Sequence, residues 1–139
     1  MKYLLDTNII SEIITKQPHQ KVLDFIENLP EENIYLSVIT IGEIKFGIQK
    51  VQSPSRKKQL LLWLENDLLQ RFDGKIININ TATMLTWGEI NQHLQSIGRT
   101  VSIMDSLIAA TAITNQMTLV TRNVKDFNNF NLKIINPFI

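Results

Sequence analysis

Apolar residues along this chain switch repeatedly between two spacings. Short runs of consecutive or alternating apolar residues suit strands, and longer stretches with apolar positions every three or four residues suit helices. The runs Tyr3–Leu5, Ile34–Val38, Ile76–Ile79, Met117–Thr121 and Lys133–Ile135 predict five strands. Polar Asp6, Thr7 and Asn8 follow the first run and suit the cap of a helix over Ile9–Thr15. After a break at Pro18, Val22, Phe25, Ile26 and Leu29 predict a second helix, ended by Pro30. Thr40 opens a helix carrying Ile41, Ile44 and Ile48. A long helix follows the loop at Pro54 and runs to about Phe72, with Leu60, Trp63, Leu64 and Leu68 on one face.

Beyond the Asp73-Gly74 turn and the third strand, Thr81 opens a helix with Leu85, Trp87, Ile90 and Leu94, closing near Gly98. Ser102 caps a last helix, in which Leu107, Ile108, Ala109, Ala110, Ala112 and Ile113 leave little polar surface, so it is expected to be buried on most sides. Strands alternate with helices, and the connections are too long for hairpins. The predicted class is therefore α/β, a parallel sheet with helices on both faces. No internal repeat, low-complexity tract or linker divides the chain, so residues 1–139 are expected to form a single domain.

Composition narrows the chemistry. With 44% hydrophobic and 19% charged residues, the chain has enough apolar material for a core. The net charge of +1 means that any polyanion must be bound by a local patch. There is no cysteine, which excludes disulfides, thiolate zinc sites and a cysteine nucleophile. His19 and His93 are the only histidines, too few for a histidine-rich metal site. The apolar start, Met1–Ile10, is short and interrupted by Asp6, unlike a signal peptide or membrane span. A soluble, cytoplasmic protein without membrane partners is the expectation.

The remaining candidates for chemistry are oxygen-bearing. Asp6 ends the first strand. Glu43 and Asp105 lie three residues after the helix-opening Thr40 and Ser102. Asn123 and Asp126 follow the fourth strand. Each also has an ordinary structural use: Asp6 as a turn or capping residue, Glu43 and Asp105 as partners in capping boxes, Asp126 as a solvated acid beside Lys125. In an open α/β sheet, however, strand ends and first helical turns converge on one crevice. Carboxylates gathered there repel one another, and a hard divalent cation relieves that repulsion. Ser106 has no histidine plausibly placed to activate it as a nucleophile.

The motifs Tyr3-Leu-Leu-Asp-Thr-Asn-Ile9, Ser37-Val-Ile-Thr-Ile-Gly-Glu43-Ile44, Met104-Asp105-Ser-Leu-Ile-Ala-Ala-Thr-Ala112 and Leu119-Val-Thr-Arg-Asn-Val-Lys-Asp-Phe127 resemble, in order and spacing, the four acidic motifs of PIN domains of the VapC toxin type. The resemblance spans nearly the whole chain. It implies a three-layer PIN-like fold with sheet order 3-2-1-4-5. It implies a Mg²⁺- or Mn²⁺-dependent endoribonuclease that hydrolyses RNA phosphodiesters, with one or two ions. It further implies a cognate antitoxin and a homodimer. Asp6, Glu43 and Asp105 carry over as the catalytic, metal-binding acids. Asn123 stands where many such domains have a fourth acid, with Asp126 as a possible substitute.

Thr7, Asn8 and Thr121 are candidates to orient these ligands. Arg122, Lys45 and Arg99, with Lys50 and Lys125, are candidates to meet RNA phosphates. Arg56-Lys57-Lys58 reads as a solvated face, and Trp63 and Trp87 as core. An antitoxin would bring an apolar segment, often with an arginine reaching the acids, and the helices from Ile9 to Leu29 and from Ile44 to Leu69 are where it is expected to dock. The competing function is a flavodoxin-like, Mg²⁺-binding signalling module. It would need paired acids after the first strand and an acceptor aspartate after the third, where this chain has the single Asp6 and Asn78-Ile79-Asn80.

Overall fold

Leu4 and Leu5 are adjacent in sequence but belong to different hydrophobic cores. Both lie in β1 (Tyr3–Leu5), where successive side chains point to opposite faces. The computed structural model describes residues 1–139 and places β1 at the centre of a five-stranded sheet. The other strands are β2 (Ile34–Ser37), β3 (Ile76–Ile77), β4 (Thr118–Val120) and β5 (Ile134–Ile135). Their order is β3-β2-β1-β4-β5 and every pairing is parallel, as expected. Leu5 sits opposite Val120, so the chain leaves β1 and β4 side by side.

Helices cover both faces. On one side lie α1 (Thr7–Ile13), α2 (Gln20–Glu27), α3 (Val38–Gln49) and α4 (Pro54–Leu62). The last continues through a π-helical stretch, Trp63–Leu68, into α5 (Leu69–Arg71). Leu5 and Val120 pack here with Ile9, Ile10, Val22, Ile26, Ile44, Ile48, Leu64, Leu68 and Phe72. On the other side lie α6 (Thr81–Ser96), α7 (Ile103–Thr114) and α8 (Val124–Phe127). Leu4 and Leu119 pack there with Leu94, Ile108, Ala109, Ala112 and Phe127. Burying each large aliphatic side chain contributes roughly 1.5–3 kcal/mol, so the two cores fix the sheet between its helical layers. No helix is long and apolar enough to cross a membrane.

Three local expectations need correction. Thr40 does not open α3. Ser37 does, its Oγ accepting from the Thr40 N–H at 3.2 Å, and Thr40 is buried in the first turn. β3 stops at Ile77 rather than Ile79, because Asn80 turns the chain to cap α6, its Oδ1 accepting from the N–H and Oγ1 of Thr83. Leu85 does not join the apolar face of α6: it is 66% exposed, whereas Leu94 is buried. The end of α6 falls where Gly98 predicts it. Gly98 adopts φ +73°, and Arg99 N–H donates to Leu94 O at 2.8 Å, satisfying a free carbonyl of the last turn.

Candidate active site

Asp6 is the first residue after β1, and its N–H still extends the sheet by donating to Val120 O at 2.9 Å. Its side chain is nearly inaccessible, at 3% exposure, and has three donors. Oδ1 accepts from Thr7 N–H at 2.8 Å. Oδ2 accepts from Thr121 Oγ1 at 2.7 Å and from Asn8 Nδ2 at 3.0 Å. Thr121 in turn accepts from Asn8 Nδ2 and from Asn123 N–H, at 3.2 and 3.0 Å. Asn8 Oδ1 accepts from Arg122 N–H at 3.1 Å. Thr7, Asn8 and Thr121 thus join the ends of β1 and β4 and fix one carboxylate between them.

Glu43 is free of the capping role that its spacing from Thr40 suggested. Ser37 caps α3, and Glu43 Oε1 accepts from Thr7 Oγ1 at 2.6 Å. Asp105 does sit in a capped first turn, with its N–H donating to Ser102 Oγ at 3.2 Å. Both carboxylates face the cavity that Asp6 enters. That cavity, of about 470 Å³, is lined by Asp6, Thr7, Asn8, Ser11, Glu12, Thr15, Glu43, Asp105, Arg122 and Asn123, none of them hydrophobic.

The other sequence candidates fall differently. Asn123 lines the cavity and precedes α8. Asp126 is exposed in α8 and is not part of the lining, although its charge reaches Asp105. Lys45 and Arg99, expected to meet substrate, do not line the cavity, nor do Lys50 and Lys125. Lys45 lies on the exposed side of α3, and Arg99 belongs to the turn that closes α6. Lys50 lies over the Phe46 ring, 4.1 Å from its centroid. Ser106 is fully buried, accepts from Trp87 Nε1 at 2.9 Å and donates to Ile103 O, so it is a packing residue. Ser11, Glu12 and Thr15 were missed. Ser11 and Glu12 lie three and four residues after Asn8, on one polar face of α1, and Thr15 continues that spacing just past the helix end.

The electrostatics are one-sided. Burial raises the Asp6 carboxyl above its usual range, opposed by the Thr121 and Thr7 donors, while Glu43 adds repulsion. Asp105 is also raised, first by burial and then by the Asp6 charge, with Asp126 and Glu43 contributing less. No lysine, arginine or histidine forms an ion pair with these acids; the ion pairs of the protein gather on Glu31. An all-oxygen donor set with uncompensated negative charge fits a hard divalent cation. The carboxylates ring the cavity loosely: no three acidic or histidine side chains are close enough to enclose an ion as they stand.

Comparison with known proteins identifies the family of the chain. The family model described as PIN domain matches residues 3–131, a span that includes every one of the cavity residues. Toxin FitB of Neisseria gonorrhoeae is 31% identical over 135 residues, covering 97% of each chain. VapC ribonuclease Y4jK of Sinorhizobium fredii is 30% identical over 135 residues, covering 97% of this chain and 96% of its own. The crystal structure of FitAcB from Neisseria gonorrhoeae superposes with a TM-score of 0.93 at 31% identity, over 98% of both chains. With the sheet order, the chain length and the family match in agreement, this chain belongs to the PIN domain family.

Proposed function

We propose that this protein is a divalent-metal-dependent endoribonuclease, the toxin of a toxin–antitoxin pair, which hydrolyses phosphodiester bonds in RNA. One observation carries the reading: three carboxylates from separate elements, Asp6, Glu43 and Asp105, face one polar cavity and none of them has an ion-pair partner in the protein. The names of the relatives, a toxin and a VapC ribonuclease, support it.

Asp6, Glu43 and Asp105, with the Asn123 amide oxygen, would hold Mg²⁺ or Mn²⁺. Their combined charge suits one ion held by the protein alone, and a second would depend on the substrate phosphate. A bound divalent ion supplies Lewis acidity toward a phosphoryl oxygen and lowers the pKa of water. The protein's own residues prepare the site. Thr121, Asn8 and the Thr7 N–H hold both oxygens of Asp6 in one orientation. The Thr7 hydroxyl fixes Glu43. Arg122 brings the only positive side chain in the cavity lining, suited to a phosphate of the bound strand.

The antitoxin is assigned to the apolar cleft of about 160 Å³ between α1, α3 and α4. Ile10, Ile14, Ile44, Ile48, Leu60 and Trp63 line it, and it opens beside Glu43. An apolar segment seated there would bring a following arginine within reach of the carboxylates. A second copy of the chain is assigned to the apolar face of about 770 Å³ bounded by Phe46, Ile79, Met104 and Leu107, on the other side of Glu43.

The deciding experiment is RNA cleavage by purified Asp105→Asn protein. Loss of cleavage with an unchanged circular dichroism spectrum is the expected result. A folded variant that cleaves at the wild-type rate, free of contaminating ribonuclease, would overturn the reading.

A further inference from the structure

The cavity contains a feature that the metal-binding acids do not explain. Its lining includes four carboxylates, those of Asp6, Glu12, Glu43 and Asp105, and a single cation, Arg122. A flexible arginine beside four carboxylates would ordinarily pair with one of them, yet Arg122 forms no ion pair. Its guanidinium lies over the ring of Phe138, 4.6 Å from the centroid, within cation–π range.

Phe138 is itself held from three directions. It packs against the core that contains Leu5 and Val120. Its N–H donates to Asn136 Oδ1 at 3.0 Å. The His19 ring meets it edge-on, with centroids 5.4 Å apart at 69°. His19 N–H in turn donates to Glu12 Oε2 at 2.9 Å, on the cavity wall. The aromatic ring therefore links the α1–α2 corner to Arg122, the second residue after β4.

We propose that Phe138 is a positioning residue for RNA binding: it holds the Arg122 guanidinium at the rim, away from the carboxylates, and so keeps the acids free for metal and the arginine free for a backbone phosphate. This inference rests on the nuclease reading. Without the ring, Arg122 would be drawn to the nearest carboxylate, and one phosphate contact would be lost with it.

The test uses the full chain in an Asp105→Asn background, so that RNA survives. Binding of a fluorescein-labelled, unstructured single-stranded oligoribonucleotide is followed by anisotropy across a KCl series. Arg122→Gln should reduce the slope of log affinity against log salt by about 0.7, the value for one phosphate contact on a single strand. Phe138→Leu should reduce it by a comparable amount and weaken binding about threefold. Phe138→Tyr should bind as the parent does, and adding Phe138→Leu to Arg122→Gln should change nothing further. A Phe138→Leu protein with the parental slope, or additive effects in the double variant, would overturn the inference and leave the nuclease reading intact. Absence of RNA binding by the parent at low salt would overturn both.

Discussion

Thr7 and Glu43 are joined by a hydrogen bond of 2.6 Å from the threonine hydroxyl to Oε1, which ties the start of α1 to the first turns of α3 across the cavity. Thr40 Oγ1 lies 3.1 Å from the same hydroxyl and 3.4 Å from Ser37 Oγ, so one small polar cluster sets the direction of the carboxylate. Thr7→Val should leave Glu43 and Thr40 short of a partner. The expected stability loss is about 1–3 kcal/mol, read from urea unfolding, with RNA cleavage reduced about tenfold. Thr7→Ser keeps the hydroxyl and should retain most of both. A Thr7→Val protein matching wild type in both measurements would remove this bond from the account.

Asp105 has a carboxyl raised by burial and by the Asp6 charge. An acid with a higher pKa folded than unfolded costs nothing at acid pH, where it is protonated in both states. The cost appears as pH rises through the raised folded value. Asp105→Asn cannot ionise, so the metal-free variant should melt higher than wild type at about pH 7, on the order of a few degrees, and equally at about pH 3. Added Mn²⁺ should reverse the ranking at neutral pH, because it raises the wild-type Tm by mass action and leaves the variant unmoved. Equal Mn²⁺-induced shifts in the two proteins would show that Asp105 is not a ligand.

Glu31 behaves in the opposite sense. Hydrogen bonds from Arg71 hold its carboxyl below the usual range, against a smaller opposing effect of burial, with the charges of Arg71 and Lys75 adding to the lowering. A depressed acid contributes stability above its unfolded pKa and loses it as pH falls through the folded value. Glu31→Gln should therefore lower Tm at about pH 7 and converge on wild type as pH falls below about 4. The pair is substantially exposed, so the effect should stay under about 1 kcal/mol and shrink in high salt. A Tm difference that is constant from neutral to acid pH would point to packing instead of charge.

The sheet was readable because its central strands are short apolar runs followed by polar caps. Leu4-Leu5-Asp6 and Leu119-Val120-Thr121 both carry that signature, and the resemblance supplied their order. The acids were readable as a set for the same reason. What misled was local chemistry with two solutions. Ser37 and Thr40 are both good capping residues three apart, and burial of Thr40 against Thr7 decided for Ser37. The end of α7 gave no glycine signal, because Gln116 takes the left-handed turn at φ 55° that Gly98 takes after α6. The cations were the least legible. Proximity to the motifs nominated Arg122, Lys45 and Arg99 alike, and only Arg122 lines the cavity, beside Asn8, 114 positions away in sequence, and Phe138.

The bond between Asp6 and Thr121 spans 115 positions of the chain. A ribosome making this protein produces Asp6 and Glu43 early, Asp105 much later, and Thr121 later still. Until β4 emerges and pairs with β1, Asp6 lacks its shortest donor and the cavity has no far wall. Contacts of such long sequence separation form late. The proposed nuclease therefore has no finished site until β4 has been made and paired: the acids of the early chain wait on a strand more than a hundred residues downstream.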